Sequence, residues 1–223
     1  MKDLNQLLLN FNIKQNYKYE DFYVSKSNYY AFSLIENWPK WEKNFVNIYG
    51  EKYSGKTHLA NIFIKKFKAK KFMAKEFENE NLKDIKVFEN IILDDFDDKI
   101  DEKLMYSLFN IVDQDNKFLI INSIKPINAL KFKLVDFISR SKNCLFAEIG
   151  KPDDDLMFAI LLKNFSDRQI TIDKKLIDFI IKRIDRSYGK IYEFIYIIDE
   201  LSLKKKKSID FKIIKEALEA KIE

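Results

Sequence analysis

Gly50-Glu51-Lys52-Tyr53-Ser54-Gly55-Lys56-Thr57 satisfies the pattern G-x-x-x-x-G-K-[ST] in full. Each fixed position has a chemical reason. The two glycines let successive backbone N–H groups turn inward as an anion-binding nest, with Tyr53 and Ser54 in the turn between them. Lys56 supplies the cation for the β- and γ-phosphates, and the Thr57 hydroxyl is a ligand for Mg²⁺. His58 opens the segment that follows, whose helix N-terminus adds its dipole to the same anion. The chain has only 4 glycines, and two of them fall here at the required spacing. The short apolar run 45–49 precedes the motif, and helical spacing follows it over 58–70. A strand, a phosphate-binding loop and a helix are therefore expected in that order, with ADP or ATP and Mg²⁺ as cofactors.

Outward from this unit the same alternation continues. Helical spacing is expected over 25–38, with caps at Ser25 or Ser27 and a stop before Pro39. Short strands are expected at 71–73, 88–93, 118–121 and 145–149, with the second broken by Asp94-Asp95. Helices are expected at 102–112 and 131–138. Alternating buried strands and amphipathic helices imply an α/β fold, a parallel sheet between helices. After Gly150 the character changes. Pro152 and the acidic run Asp153–Asp155 make a helix start, and helical segments follow near 154–166, 173–184, 188–203 and 209–221. The expected organisation is a leader over 1–17, a nucleotide-binding α/β domain over 18–150 and a small all-helical domain over 151–223.

The hydrophobic fraction of 47% is ample for a packed core, and no apolar run approaches a membrane span. A cytoplasmic protein with no membrane partner is expected. Cys144, the only cysteine, lies in an apolar run and reads as a buried, inert thiol. The net charge of +5 comes from a Lys-rich composition and is weak support for DNA binding. The lysine run 204–207 reads as a solvated loop. Arginine is informative because it is scarce: Arg140, Arg168, Arg183 and Arg186 are the only four.

The run Ile91-Ile92-Leu93-Asp94-Asp95 is a hydrophobic strand ending in two carboxylates. Opposite a phosphate loop, Asp94 would hold Mg²⁺ through water and Asp95 would orient the attacking water; an acidic capping turn is the alternative. Asn122, at the end of the third apolar strand, is the candidate to sense the γ-phosphate, against a plain strand-terminal turn. His58 reads as a spacer near the phosphates. Arg140, on a helix end before the last strand, can point out of the domain toward a neighbour's nucleotide, and equally reads as a surface residue.

The chain resembles the AAA+ module of the replication initiator DnaA, and more closely the Hda-like regulators, short DnaA-related proteins that inactivate the initiator. The matching stretches are Gln6-Leu-Leu-Leu-Asn-Phe11, Asp21-Phe-Tyr-Val-Ser-Lys-Ser-Asn28, the loop through Leu59, Ile92-Leu-Asp-Asp95, Ser139-Arg140 and Lys182-Arg-Ile-Asp-Arg186. The resemblance implies an AAA+ P-loop fold with a helical lid. Gln6, Leu7, Leu9 and Phe11 would dock into the DNA polymerase sliding clamp as an extended peptide. Phe22, Tyr23 and Val24 would cradle adenine, and Arg140 falls on the arginine-finger position. Implied partners are DnaA itself and the clamp, with DNA met mainly indirectly; self-association is compatible. The initiator carries a DNA-binding domain after its lid, and this sequence stops before one would fit, which favours the short regulator. The family's second-sensor Arg falls near Gly189 or Lys190, where none is present, so hydrolysis by the chain itself is in doubt while ADP binding stays expected. The rival readings are a helicase loader of the same clade, a small-molecule kinase, and an interaction module that keeps nucleotide as a structural ligand.

Overall fold

The structure, a computed structural model, describes residues 17–168, 170–205 and 207–219. Gln6, Leu7, Leu9 and Phe11 lie outside the described residues.

Five strands, β1 (Phe45–Gly50), β2 (Ala69–Met73), β3 (Asn90–Phe96), β4 (Phe118–Ser123) and β5 (Leu145–Ile149), form one sheet in the order β2-β3-β4-β1-β5. Every pairing is parallel. Successive side chains leave opposite faces of a strand, and the core divides accordingly. Ile91, Leu93, Leu119 and Ile121 face one side, packed by Leu104, Leu108 and Phe109 of α4 (Glu102–Gln114) and Phe137 of α5 (Val135–Ser141). Val46, Ile48, Ile92, Ile120, Ala147 and Ile149 face the other, packed by Ala31, Leu34 and Ile35 of α1 (Tyr29–Glu36) and Leu59 and Phe63 of α2 (Lys56–Phe67). Burial on both faces is why the strands read as apolar runs rather than as alternations. Cys144 belongs to the first of these cores, and burial pushes its thiol up to about 12.

A short helix, α3 (Asn81–Ile85), precedes β3. Beyond β5 come α6 (Asp154–Asp167), α7 (Lys174–Ile181), α8 (Tyr188–Lys205) and α9 (Phe211–Glu219). They enclose a core of their own, built on Met157, Leu161, Phe165, Ile177, Phe194, Ile198 and Ile214. Aspartates mark three of the four starts: Asp153 accepts from Leu156 N at 2.8 Å, Asp173 from Lys175 N at 2.8 Å and Asp210 from Ile213 N at 2.9 Å.

Three expectations need correction. Strand β3 is not broken at Asp94-Asp95 but runs to Phe96. Asp94 pairs with Met73 on one side of the ladder. The register with β4 then shifts between Leu93 and Phe96, where Asp95 takes a left-handed φ of 60°. That irregularity turns Asp95 to solvent and returns Phe96 to the core. Helix α5 starts at Val135, not at 131. The Glu102 carboxylate, arriving from the start of α4, accepts from Lys133 N at 2.8 Å and from Leu134 N, and so sets the first turn. Helix α1 starts at Tyr29, and neither Ser25 nor Ser27 caps it. Ser25, Ser27 and Asn28 instead bond one another in the preceding turn, Asn28 Oδ1 accepting from Ser25 N at 2.8 Å.

Candidate functional site

The carboxyl ends of parallel strands are where an open α/β sheet places its ligands. Here they open into a cleft of about 1770 Å³ between the sheet and the C-terminal helices. It is lined by the loop from Lys52 to Thr57, His58, Asp94, Asp95 and the segment Phe22–Val24, together with residues of α6, α7 and α8.

The loop leaves β1 at Gly50, where an added Cβ would stand 2.6 Å from the Ile149 carbonyl of β5. No side chain fits there without moving backbone. Tyr53 and Gly55 both adopt left-handed φ, 69° and 98°, the alternation that turns successive N–H groups to one side. Lys56 Nζ donates to the carbonyls of Gly50 and Glu51, each at 2.8 Å, and to Ser54 Oγ at 3.4 Å. Burial lowers the Lys56 pKa, and the charges of Asp94, Asp95 and Glu51 oppose that shift.

Asp94 is 3% exposed and sits at the convergence of the sheet-side groups. Its Oδ1 accepts from Thr57 Oγ1 at 3.4 Å, from Asn122 Nδ2 at 3.0 Å and from the Asp95 amide at 3.2 Å. Lys71 Nζ stands 3.5 Å from Oδ2. One hydroxyl and one carboxylate side by side make a hard-oxygen pair of the kind Mg²⁺ takes, and Thr57 and Asp94 would hold it beside a bound nucleotide. Among the described residues no three His, Cys, Asp or Glu gather as a metal site. Asn122 is fully buried in β4, between the loop strand and the acidic strand. Its amide N–H groups are committed to Asp94 and to the Lys56 carbonyl, 3.3 Å away. Its Oδ1 is buried without a hydrogen-bond partner, an acceptor that a molecule at the phosphate end could fill.

Phe22 stacks on Phe32 at 5.8 Å and meets the His58 ring edge-on at 5.3 Å. It lies close enough over the loop that a Cβ at Gly55 would be 3.1 Å from its ring. Tyr23 is exposed and Val24 half-buried along the same wall. His58 Nε2 lies 2.7 Å from the Lys18 carbonyl. A carbonyl only accepts, so Nε2 carries the proton. Burial lowers the His58 pKa, and a neutral ring pins the segment entering Phe22 to the first turn of α2.

The opposite wall is built around Glu51, Tyr188 and Tyr192, to which the sequence reading gave no role. The carboxylate of Glu51, an x position of the loop motif, caps the start of α8. It accepts from Ser187 Oγ, from Tyr188 N at 3.2 Å and from Gly189 N at 3.1 Å. A carboxylate at a helix N-terminus meets both free N–H groups and the positive end of the dipole. A Cβ at Gly189 would lie 3.1 Å from Glu51 Oε1, so Glu51 and the residue type at 189 are coupled. Tyr53 stacks on Tyr192 of α8 at 4.5 Å and 14°, and Tyr188 donates its hydroxyl to the Gly150 carbonyl at 3.1 Å. Lys190 pairs with Glu193 at 2.8 Å and Arg186 with Asp154 at 2.8 Å. Arg186 is not among the cleft-lining residues.

Arg140 is also outside the cleft. It extends from the last turn of α5, with Nη1 3.6 Å from Asp113 and its guanidinium 5.4 Å from the Tyr106 ring centre. Its side chain is 36% exposed.

No protein-family model matches the chain. It is 25% identical over 212 residues to an uncharacterized protein of Haemophilus influenzae, covering 89% of this chain and 92% of that one. It is 25% identical over 231 residues to the chromosomal replication initiator DnaA of Helicobacter hepaticus, covering 89% of this chain and 49% of DnaA. The chain thus spans about half the length of the DnaA relatives it matches. Among solved structures, domain III of Thermotoga maritima DnaA superposes with a TM-score of 0.72 at 18% identity, covering 92% of this chain and 96% of that domain. A DnaA bound to AMPPCP and single-stranded DNA superposes with a TM-score of 0.66 at 21% identity, covering 88% of this chain and 70% of that one. The fold is the AAA+ P-loop fold with a helical C-terminal portion, shared with domain III of DnaA, and the sequence is similar to that of DnaA over 89% of this chain. No helix among the described residues is long and apolar enough to cross a membrane.

Proposed function

We propose that this chain is an Hda-like regulator of replication initiation, which binds ADP or ATP, docks on the sliding clamp and promotes hydrolysis of ATP held by DnaA. Residues 18–150 act as the nucleotide-binding domain and 151–223 as its lid, with 1–17 as a leader. The loop from Gly50 to Thr57 holds the phosphates, Thr57 and Asp94 hold Mg²⁺, and Phe22, Tyr23 and Val24 meet the base. Asp95 and Asn122 stand at the phosphate end. Gln6, Leu7, Leu9 and Phe11 are the clamp contact. DNA is met mainly through those partners, and self-association is compatible with the same faces.

The observation that carries this reading is the position of Arg140. The chain uses Lys almost throughout, yet keeps a half-exposed guanidinium at a helix end away from its own cleft, where it meets Asp113 at 3.6 Å and the face of Tyr106. A planar, permanently charged fork suits a transferring phosphoryl group on a neighbouring molecule. Its own cleft, with no arginine among its lining residues, suits retention of nucleotide better than rapid turnover.

The test is single-turnover hydrolysis of ATP preloaded on DnaA, with clamp and DNA present. Wild-type chain should stimulate it. Arg140→Ala, and largely Arg140→Lys, should lose about 10³-fold or more of that stimulation, the range of a finger supplied in trans, and keep nucleotide binding. Full stimulation by Arg140→Ala would reduce Arg140 to a surface residue. Changing Gln6 and Phe11 to Ala should abolish clamp capture alone. The alternative, a DnaA-clade ATPase acting as a helicase loader, is favoured by the assembled Asp94, Asp95 and Asn122. It requires DNA-stimulated turnover by the chain on its own, which the same assay reads without DnaA.

A further inference from the structure

Edge strand β2 carries two adjacent lysines that the sheet sends to opposite faces. Lys70 turns to the aromatic face, its ammonium 5.6 Å from the Phe72 ring centre and 5.7 Å from that of Phe88. Lys71 turns into the cleft and stands 3.5 Å from Asp94 Oδ2. The Asp94 side chain is 4% exposed and that of Lys71 29%.

The division of labour around Asp94 is uneven. Oδ1 takes all the neutral donors, Thr57 Oγ1, Asn122 Nδ2 and the Asp95 amide. Oδ2 is left to the ammonium of Lys71. A carboxylate this deeply buried needs a compensating charge, and here the chain supplies one. A divalent ion held between Thr57 and this carboxylate would share Asp94 with a resident cation. Like charges a few ångströms apart in a low-dielectric cleft repel strongly, and Mg²⁺ gives up hydration water reluctantly.

We propose that Lys71 is a resident counter-ion for Asp94 that takes over much of the electrostatic work of a divalent cation, so that the chain holds a nucleoside diphosphate with little dependence on Mg²⁺. The inference rests on the nucleotide-binding reading above and assigns the metal requirement of that same site. The diphosphate is the ligand concerned, because it carries less negative charge than a triphosphate and so needs a divalent counter-ion least. Lys71 acts through Asp94 and is a positioning residue.

The experiment titrates ADP into the full chain by calorimetry, once with excess Mg²⁺ and once with EDTA. The wild-type affinities should agree within about threefold, because the ion adds little beside a charge already in place. Lys71→Met removes the charge and keeps the length; its affinity should fall about tenfold or more on going from Mg²⁺ to EDTA. Lys71→Arg keeps the charge and should restore the wild-type ratio. Thermal melts establish that each variant is folded, and a Met variant that does not fold leaves the wild-type and Arg ratios to decide. A wild-type affinity that collapses in EDTA, or a folded Met variant with the wild-type ratio, overturns the proposal while leaving nucleotide binding intact. Absence of ADP binding in both buffers overturns the nucleotide reading and this proposal with it.

Discussion

The two walls of the cleft are made on different principles. On the sheet wall, Thr57, Asn122, Asp95 and Lys71 converge on the single carboxylate of Asp94. Those groups stand at the ends of paired strands or on the first turn after the loop, where the ladder holds them rigidly. On the helical wall, one side chain reaches across instead. Glu51 leaves the loop and gathers Ser187, Tyr188 and Gly189 at the start of α8, with Tyr53 stacked on Tyr192 beside it. The first wall is preorganised. The second ties a separately cored helical unit to the loop through a cap and a stack, contacts of a kind that open at modest cost. The loop belongs to both, so the proposed phosphate site and the seating of α8 share residues 50–57. Ligand-dependent movement is therefore expected at the second wall and not at the first.

The largest effect that would break the comparison belongs to Lys56. Lys56→Ala removes the motif ammonium that bonds the loop's own carbonyls and should cut ADP affinity by about 10²-fold or more, the loss of two charge-assisted contacts. Calorimetry reads it, and unchanged affinity would remove the loop from the phosphate site altogether.

A smaller effect sharpens the contrast at the other wall. Glu51→Ala uncaps α8 and should destabilise the ligand-free chain by about 1–2 kcal/mol. Glu51→Gln keeps an acceptor, loses the charge and should cost less. Chemical denaturation followed by far-UV circular dichroism measures both. Identical midpoints for Ala and wild type would mean that α8 is seated by the Tyr53–Tyr192 stack and its own core, not by the carboxylate.

The smallest effect is a pH dependence. Burial lowers the His58 pKa below its ordinary 6.5, so the unfolded chain takes up this proton before the folded one does. The stability contributed by a neutral His58 is fully present above pH 6.5 and is lost as pH falls toward the depressed folded value, below which the loss levels off. His58 is the only histidine in the sequence, so denaturation midpoints between neutral pH and the onset of carboxylate titration isolate it. His58→Asn should flatten that slope; an unchanged slope would place its origin elsewhere.

Legibility in the sequence follows the range of the determining contact. The β1–loop–α2 unit was readable because glycine, lysine and threonine at fixed spacing encode a local geometry. Strands buried on both faces were readable as apolar runs, and β5 matches its expected bounds of 145–149. The break expected at Asp94-Asp95 failed because a carboxylate pair looks like a turn, whereas β2 pairs with Asp94 and β4 with Phe96, so the strand resumes beyond the one left-handed residue at Asp95. The start of α5 failed because its cap comes from Glu102, distant in sequence. Glu51 was invisible because it occupies a position where the loop motif accepts any residue.

By itself, then, the sequence determined where a phosphate could be held, which carboxylates stood nearest and that a parallel sheet would carry them, because these depend on residue type and spacing within one strand, turn or helix. The tertiary structure decided which of two neighbouring lysines faces Asp94, that Arg140 lies outside its own cleft, and that the loop's own glutamate caps α8. Those depend on strand register and on the packing of elements up to 138 residues apart, and no local pattern carries that information because the partners meet only when the chain has folded.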